Sequence, residues 1–424
     1  MFPAGVCDDL NNLAGDGSVC GDSDHAISFM LGPADVIAMY SCSPPPMRYF
    51  AYDLIIDQRL TEEYPFKPGQ NFGDTISSRT INTTAEDDDV FDQPALILHS
   101  ADANAAQRVA DAYVEHGGVD PRTISVRYVS PGTVRLYDRS AGQTWREAAP
   151  DVLSMVARLS LPESSHLEEY GLYKNTTWPV RFYFAADESK ATAPVDPPLI
   201  PRFSSSIVDE VAIYSDILAE LTAAVKTRFT VDGYFEGGAV GTLAHSLGVN
   251  LTSEGCYDDW DYVLGLKNND SFVAGTRDAT YGIPVCPPEG DCGMIGKMGA
   301  VAVGVVHASP HGQDAAYSSV GIDIMNYVTG QFIQTTWWMD DALEGSAARY
   351  LPDNGSPLVD QLFAVELMPK GMCAEDSKWC VELEKDAYST TAFLMGERIY
   401  SLAATTVGPP ANTTVGAQVL TFTF

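Results

Sequence analysis

The stretch that most restricts the fold is Ala300-Val301-Ala302-Val303-Gly304-Val305-Val306, which carries neither a charge nor a polar side chain. A short, β-branched run without polar alternation predicts a strand covered on both faces. Valine fits a pleated surface, and valine with glycine argues against a short buried helix. The run stops at Ser309-Pro310-His311-Gly312, because proline cannot extend a ladder and glycine supplies turn geometry. His307 therefore stands at a strand end and His311 in the turn, with Asp314 and Tyr317 close behind. Strand ends that feed loops often carry chemistry. The plainer reading of His307 is a core histidine bonded to a backbone carbonyl.

A chain of 424 residues predicts two or three domains. The segment before the central run is sheet-rich. His25–Leu31, Asp35–Tyr40 and Arg48–Ile56 read as strands, with Ser43–Pro46 as a rigid break. Pro94–His99 is a strand, Ala103–His116 places Ala106, Val109, Ala110 and Tyr113 on one helical face, and Gly117-Gly118 ends the helix. Thr123–Val129 is a second strand, so the three form a βαβ unit. Its Ser100–Asn104 turn lacks a glycine fingerprint, which argues against dinucleotide binding there. Val152–Leu161 and Trp178–Phe184 add two strands.

Ala191–Pro201, rich in proline, reads as a connector. Ser204, Ser205 or Ser206 would cap the next helix, whose stripe is Ile207, Val211, Tyr214, Ile217, Leu218, Leu221 and Val225. Beyond it, Gly321–Val328, Gln331–Met339, Gln361–Leu367, Thr391–Met395, Arg398–Leu402 and Val419–Phe424 read as strands, the last an alternating edge that would pair with its own sheet or a neighbour. The expected organisation is α+β. Residues 1–24 form a disulfide-tied arm and 25–190 a sheet domain containing the βαβ unit. Residues 191–203 form the connector and 204–424 a helix plus a β-rich domain.

The net charge of −32, from 57 acidic against 25 basic residues, argues against nucleic acid or an anionic membrane as partner. No stretch approaches the length of a membrane-spanning helix. Six of the twelve asparagines head glycosylation sequons: Asn82, Asn175, Asn250, Asn269, Asn354 and Asn412, of which Asn354 is the poorest because Pro357 follows. The eight cysteines are locally spaced. Cys7 with Cys20, Cys286 with Cys292 and Cys373 with Cys380 are the simplest pairs, leaving Cys42 and Cys256 as a long-range pair among many possible pairings. None shows the C-x-x-C spacing of a zinc site, and no metal ligand set is expected. Sequons with disulfides point to an oxidising, secretory route and to a secreted or cell-surface chain.

Ala244-His245-Ser246-Leu247-Gly248 resembles the nucleophile elbow of the α/β-hydrolases, with alanine at the first position. The resemblance implies Ser246 as nucleophile, followed by an acid, Asp278 or Asp261, and by His307. Glu86–Asp89 and the Cys256–Asp261 cluster hold enough carboxylates for calcium without a spaced calcium-loop pattern. Trp337-Trp338 offers rings for a sugar or another subunit, although on a strand one of the two faces the core. Three functions follow. The first is a secreted, acidic, disulfide-bonded N-glycoprotein with a structural or assembly role, self-associating or binding other extracellular proteins and needing no cofactor. The second is a secreted hydrolase or lyase using Ser246 or His307 with Asp278. The third is a calcium- or carbohydrate-binding module.

Overall fold

The computed structural model describes residues 28–60, 65–66, 70–71, 75–84, 89–132, 134–162, 164–176, 180–184, 191–195, 208–235, 237–240, 279–284, 299–308, 315–326, 331–352, 354–374, 377–383, 391–402 and 413–422. The fold is α+β. The described residues separate into two compact units, one up to Leu199 and the other from Ile200 onward. The arm at 1–24 lies outside the described residues.

In the first unit β1 (Val36–Cys42), β2 (Met47–Leu60), β3 (Pro94–Ser100), α1 (Ala103–Gly117), β4 (Ile124–Tyr128), β5 (Val152–Pro162), α2 (Leu167–Thr176) and β6 (Val180–Phe184) follow in order. One sheet has the order β6-β1-β3-β4, and β5 pairs antiparallel with β2 in another. β3 and β4 are parallel neighbours joined through α1, which completes the βαβ unit. Gly118 ends α1 with φ 65°, a left-handed conformation that suits glycine. Leu96 and Leu98 bury one face of β3 against Ala105 and Ala110 of α1. Ile97 on the other face packs with Phe50 and Tyr52 of β2. Helix α2 has almost no segregated apolar face, so periodicity alone does not reveal it.

Asp102 fastens this unit. Its Oδ1 accepts from Ala105 N at 2.8 Å as the N-cap of α1, and its Oδ2 accepts from Thr192 N at 2.7 Å and Ala193 N at 2.6 Å. The connector backbone adds Ala103 N to Ala193 O at 2.9 Å and Val195 N to Ala101 O at 3.0 Å. The N-terminus of α1 is thus filled by a carboxylate belonging to the chain itself.

The second unit is layered. It contains α3 (Glu210–Arg228), β7 (Val231–Phe235), β8 (Gly237–Val240), β9 (Ala279–Pro284), β10 (Gly299–Val305), β11 (Ala315–Asn326), β12 (Gln331–Met339), β13 (Leu362–Pro369), β14 (Cys380–Leu383), β15 (Thr391–Leu402) and β16 (Gln418–Phe422). One sheet has the order β7-β16-β10-β13-β14 and the other β8-β9-β15-β11-β12. Every residue of β10 is buried. Val301, Val303 and Val305 face α3 through Tyr214, Leu218 and Leu221, while Ala300 and Ala302 face Val320 and Ile322 of the second sheet. A layer on each side is the physical reason for the uncharged run.

The second unit differs from expectation at three places. Asp209, not a serine at 204–206, caps α3, accepting from Ala212 N at 3.1 Å. The last strand is not an edge: β16 lies between β7 and β10, where ladders on both sides satisfy its backbone. The two expected strands around 391–402 are one continuous strand, β15, with Glu397 in its middle.

Candidate functional site

His307 stands two residues beyond the end of β10, and Val306 N holds that end by donating to Gln361 O at 2.8 Å. The ring is fully buried. Its Nδ1 lies 2.8 Å from both carboxylate oxygens of Glu210, and its Nε2 lies 2.9 Å from Glu397 Oε1. Glu210 is the first residue of α3, on the helix side of the sheet. Glu397 comes from β15, on the opposite side. The end of the central strand is where three layers meet, and one imidazole spans them. Both carboxylates also hold backbone groups: Glu210 Oε2 accepts from Val415 N and Glu397 Oε2 from Ala417 N, both at 3.1 Å.

Burial opposes a charge on His307, but the two carboxylates outweigh it and hold its pKa up at about 10. Burial also pushes the Glu397 carboxyl upward, against the lowering effect of His307. Glu210 gains from the helix N-terminus, where backbone N–H groups favour negative charge. The cluster is a buried, hydrogen-bonded triad of an imidazole between two carboxyl groups. With both nitrogens engaged by carboxylates, the ring has none left to take a proton from a serine hydroxyl.

Ser246 and Asp278, the other members of the expected triad, lie outside the described residues, as do Asp261, His311 and Asp314. The partners that His307 does have were missed from sequence. Glu210 sits four residues before Tyr214 on the buried face of α3, where the expected stripe ran through Val211, which is exposed. Glu397 shares a strand face with the fully buried Ile399.

A second buried polar group lies in the first unit. Asp53 of β2 pairs with Arg158 of β5, accepts from Thr75 Oγ1 at 2.6 Å and lies 3.9 Å from Arg127 Nη1. His99 of β3 stands in register with Arg127 of β4. It is fully buried, and neither ring nitrogen has a hydrogen-bond partner among the described residues. Burial first, and the Arg127 charge second, drive its pKa down to about 3, so the ring is neutral.

Cys373 and Cys380 form a disulfide with S–S 2.01 Å. Cys42 is a free, exposed thiol at the end of β1 among the described residues, and Cys256, its expected partner, lies outside them. Cys7, Cys20, Cys256, Cys286 and Cys292 lie outside the described residues. Asn82 is exposed, its Nδ2 donating to Ile124 O at 2.7 Å. Asn354 is tied on both sides of its amide, donating to Glu220 Oε2 at 2.8 Å and accepting from Ser356 N at 2.9 Å. Asn175 lies in the last turn of α2, and Asn250, Asn269 and Asn412 lie outside the described residues. Trp338 is core, its Nε1 donating to Lys378 O at 2.7 Å, while Trp337 lies across from Gly321 beneath Arg398.

Among the described residues no group of three or more His, Cys, Asp or Glu is arranged to hold a metal ion. Residues 85–88 of the acidic run and the 256–261 cluster lie outside them. No described helix is long and apolar enough to cross a membrane.

No family model matches the chain, and no curated protein does. Among solved structures, the VPA0106 protein from Vibrio parahaemolyticus is similar over 94% of this chain and 89% of its own, at 10% identity and TM-score 0.40. An uncharacterized protein from Burkholderia cenocepacia is similar over 92% of this chain and 74% of its own, at 10% identity and TM-score 0.36. Likeness at this level carries neither family nor function.

Proposed function

We propose that this chain is a secreted, acidic, disulfide-bonded N-glycoprotein with a structural or assembly role outside the cell or at its surface. The Cys373–Cys380 bond is the observation that carries the reading, because a short-loop disulfide persists in an oxidising compartment. Two further features support it. Asn82 presents its sequon at an exposed position, and the buried Glu210–His307–Glu397 triad spends its ionisable groups on joining layers. Self-association or binding to other extracellular proteins is the role that fits, with glycans on the exposed sequons.

Mature protein recovered from its natural source tests this. Peptide mapping without reductant should show the Cys373–Cys380 crosslink and a glycan at Asn82. Light scattering should give a mass above that of a single glycosylated chain. Free thiols at both cysteines with bare asparagines at all six sequons would sink the secretory reading, and a lone monomer would sink the assembly role.

A further inference from the structure

We propose that Glu210, His307 and Glu397 form a proton-locked latch that joins the layers of the second unit up to neutral pH and releases them in alkali. Hydrogen-bond chemistry carries the argument. A neutral imidazole has one N–H and one lone pair, whereas an ionised carboxylate only accepts. Here carboxylate oxygens face both nitrogens, at 2.8 and 2.9 Å. The three groups must therefore share two protons. The ring holds both, doubly protonated between the two carboxylates, whose charges favour that state. Removing one proton sets a lone pair against a carboxylate where all three side chains are buried, at the cost of an uncompensated buried charge.

The groups that face one another are settled. Glu210 bears on the ring from α3 and Glu397 from β15, while Glu397 in turn feels His307 and Glu210. The backbone N–H groups of Val415 and Ala417, from the stretch before β16, complete the shell. The lock therefore ties together four places on the chain: the start of α3, the end of β10, the middle of β15 and the entry to β16. It is independent of any secretory role.

The sign follows from linkage. His307 has a folded pKa of about 10, above the ordinary value of 6.5, so its stabilisation is complete below about 6.5 and is lost as pH rises towards 10. The raised Glu397 acts in the same sense. Unfolding or local opening releases close to one proton in this window, which changes the opening equilibrium up to about tenfold per pH unit.

Hydrogen exchange with mass spectrometry on the full chain reads the latch at its backbone donors. Corrected for intrinsic exchange, protection of the Val415 and Ala417 amides should fall by about tenfold per pH unit between pH ~7.5 and ~9.5. Glu397→Gln keeps an oxygen for Ala417 N and supplies an amide N–H to a neutral Nε2, so its fall should be several times shallower. In imidazole-labelled protein, His307 should remain doubly protonated at pH ~8.5, where an ordinary histidine is neutral. Its signal is assigned by its loss in His307→Gln or, should that variant not fold, by its shift in Glu397→Gln. A ring that titrates near the ordinary histidine value overturns the proposal. So do equal slopes in the wild type and Glu397→Gln.

Discussion

Replacing Asp102 by alanine should unfasten the first unit from its connector. The side chain is fully buried and serves three backbone N–H groups at 2.6 to 2.8 Å. Loss of an N-cap costs about 1 kcal/mol. Each of the other two N–H groups loses a charged acceptor, worth about 1.5–3 kcal/mol when no water replaces it. Thr192 is exposed, so water recovers much of its share. The sum is about 3–4 kcal/mol, or a fall of roughly 10 °C in the melting temperature of a unit this size. Asp102→Ser separates the two roles, because its hydroxyl reaches Ala105 N but not the connector. It should recover about 1 kcal/mol, the cap alone. Urea titration measures the totals, and limited proteolysis near 191–195 should cut Asp102→Ala and Asp102→Ser alike, leaving the wild type intact. A loss below about 1 kcal/mol in Asp102→Ala, or a serine variant as stable as the wild type, would mean that Asp102 does not hold the connector.

His99→Leu should leave stability unchanged or raise it by about 1 kcal/mol, since it removes two buried nitrogens that have no partner among the described residues. Because the folded pKa of His99 lies near 3, below the unfolded 6.5, the wild type loses stability as pH falls from about 6.5 towards 3, and acid titration of His99→Leu should show a flatter curve. Cys373→Ser should cost about 2–3 kcal/mol by freeing a loop of sequence separation 7, with exchange rising first at β14. Gly321→Ala should cost about 1–3 kcal/mol, because a Cβ there lies 2.5 Å from the Trp337 ring, and a change in tryptophan fluorescence should accompany it.

Much of the fold was legible in the residues themselves. The uncharged run at 300–306 implied a strand between two layers, and a helix and a second sheet do cover β10. The spacing around Ala103–His116 and the two flanking apolar runs implied the βαβ unit. The close spacing of Cys373 and Cys380 pointed to their bond. These are local patterns, set by side-chain period, turn chemistry and short loops.

The site was legible only in part. His307 stood out by its place at the end of the central strand, but its plainer reading named a backbone carbonyl as partner. The partners are carboxylates 97 and 90 residues away in sequence. Glu210 was not singled out beside the apolar stripe of its helix, and Glu397 fell between two expected strands. The free Cys42, the unpartnered His99 and the central position of β16 were equally hidden. Most elements and the faces they bury were readable from neighbours within a few turns, α2 and the unbroken β15 excepted. What the tertiary structure alone decided is which charges meet inside. Pairing depends on where distant segments are brought together, and a buried imidazole is acid, base or neutral only by virtue of what lies against it.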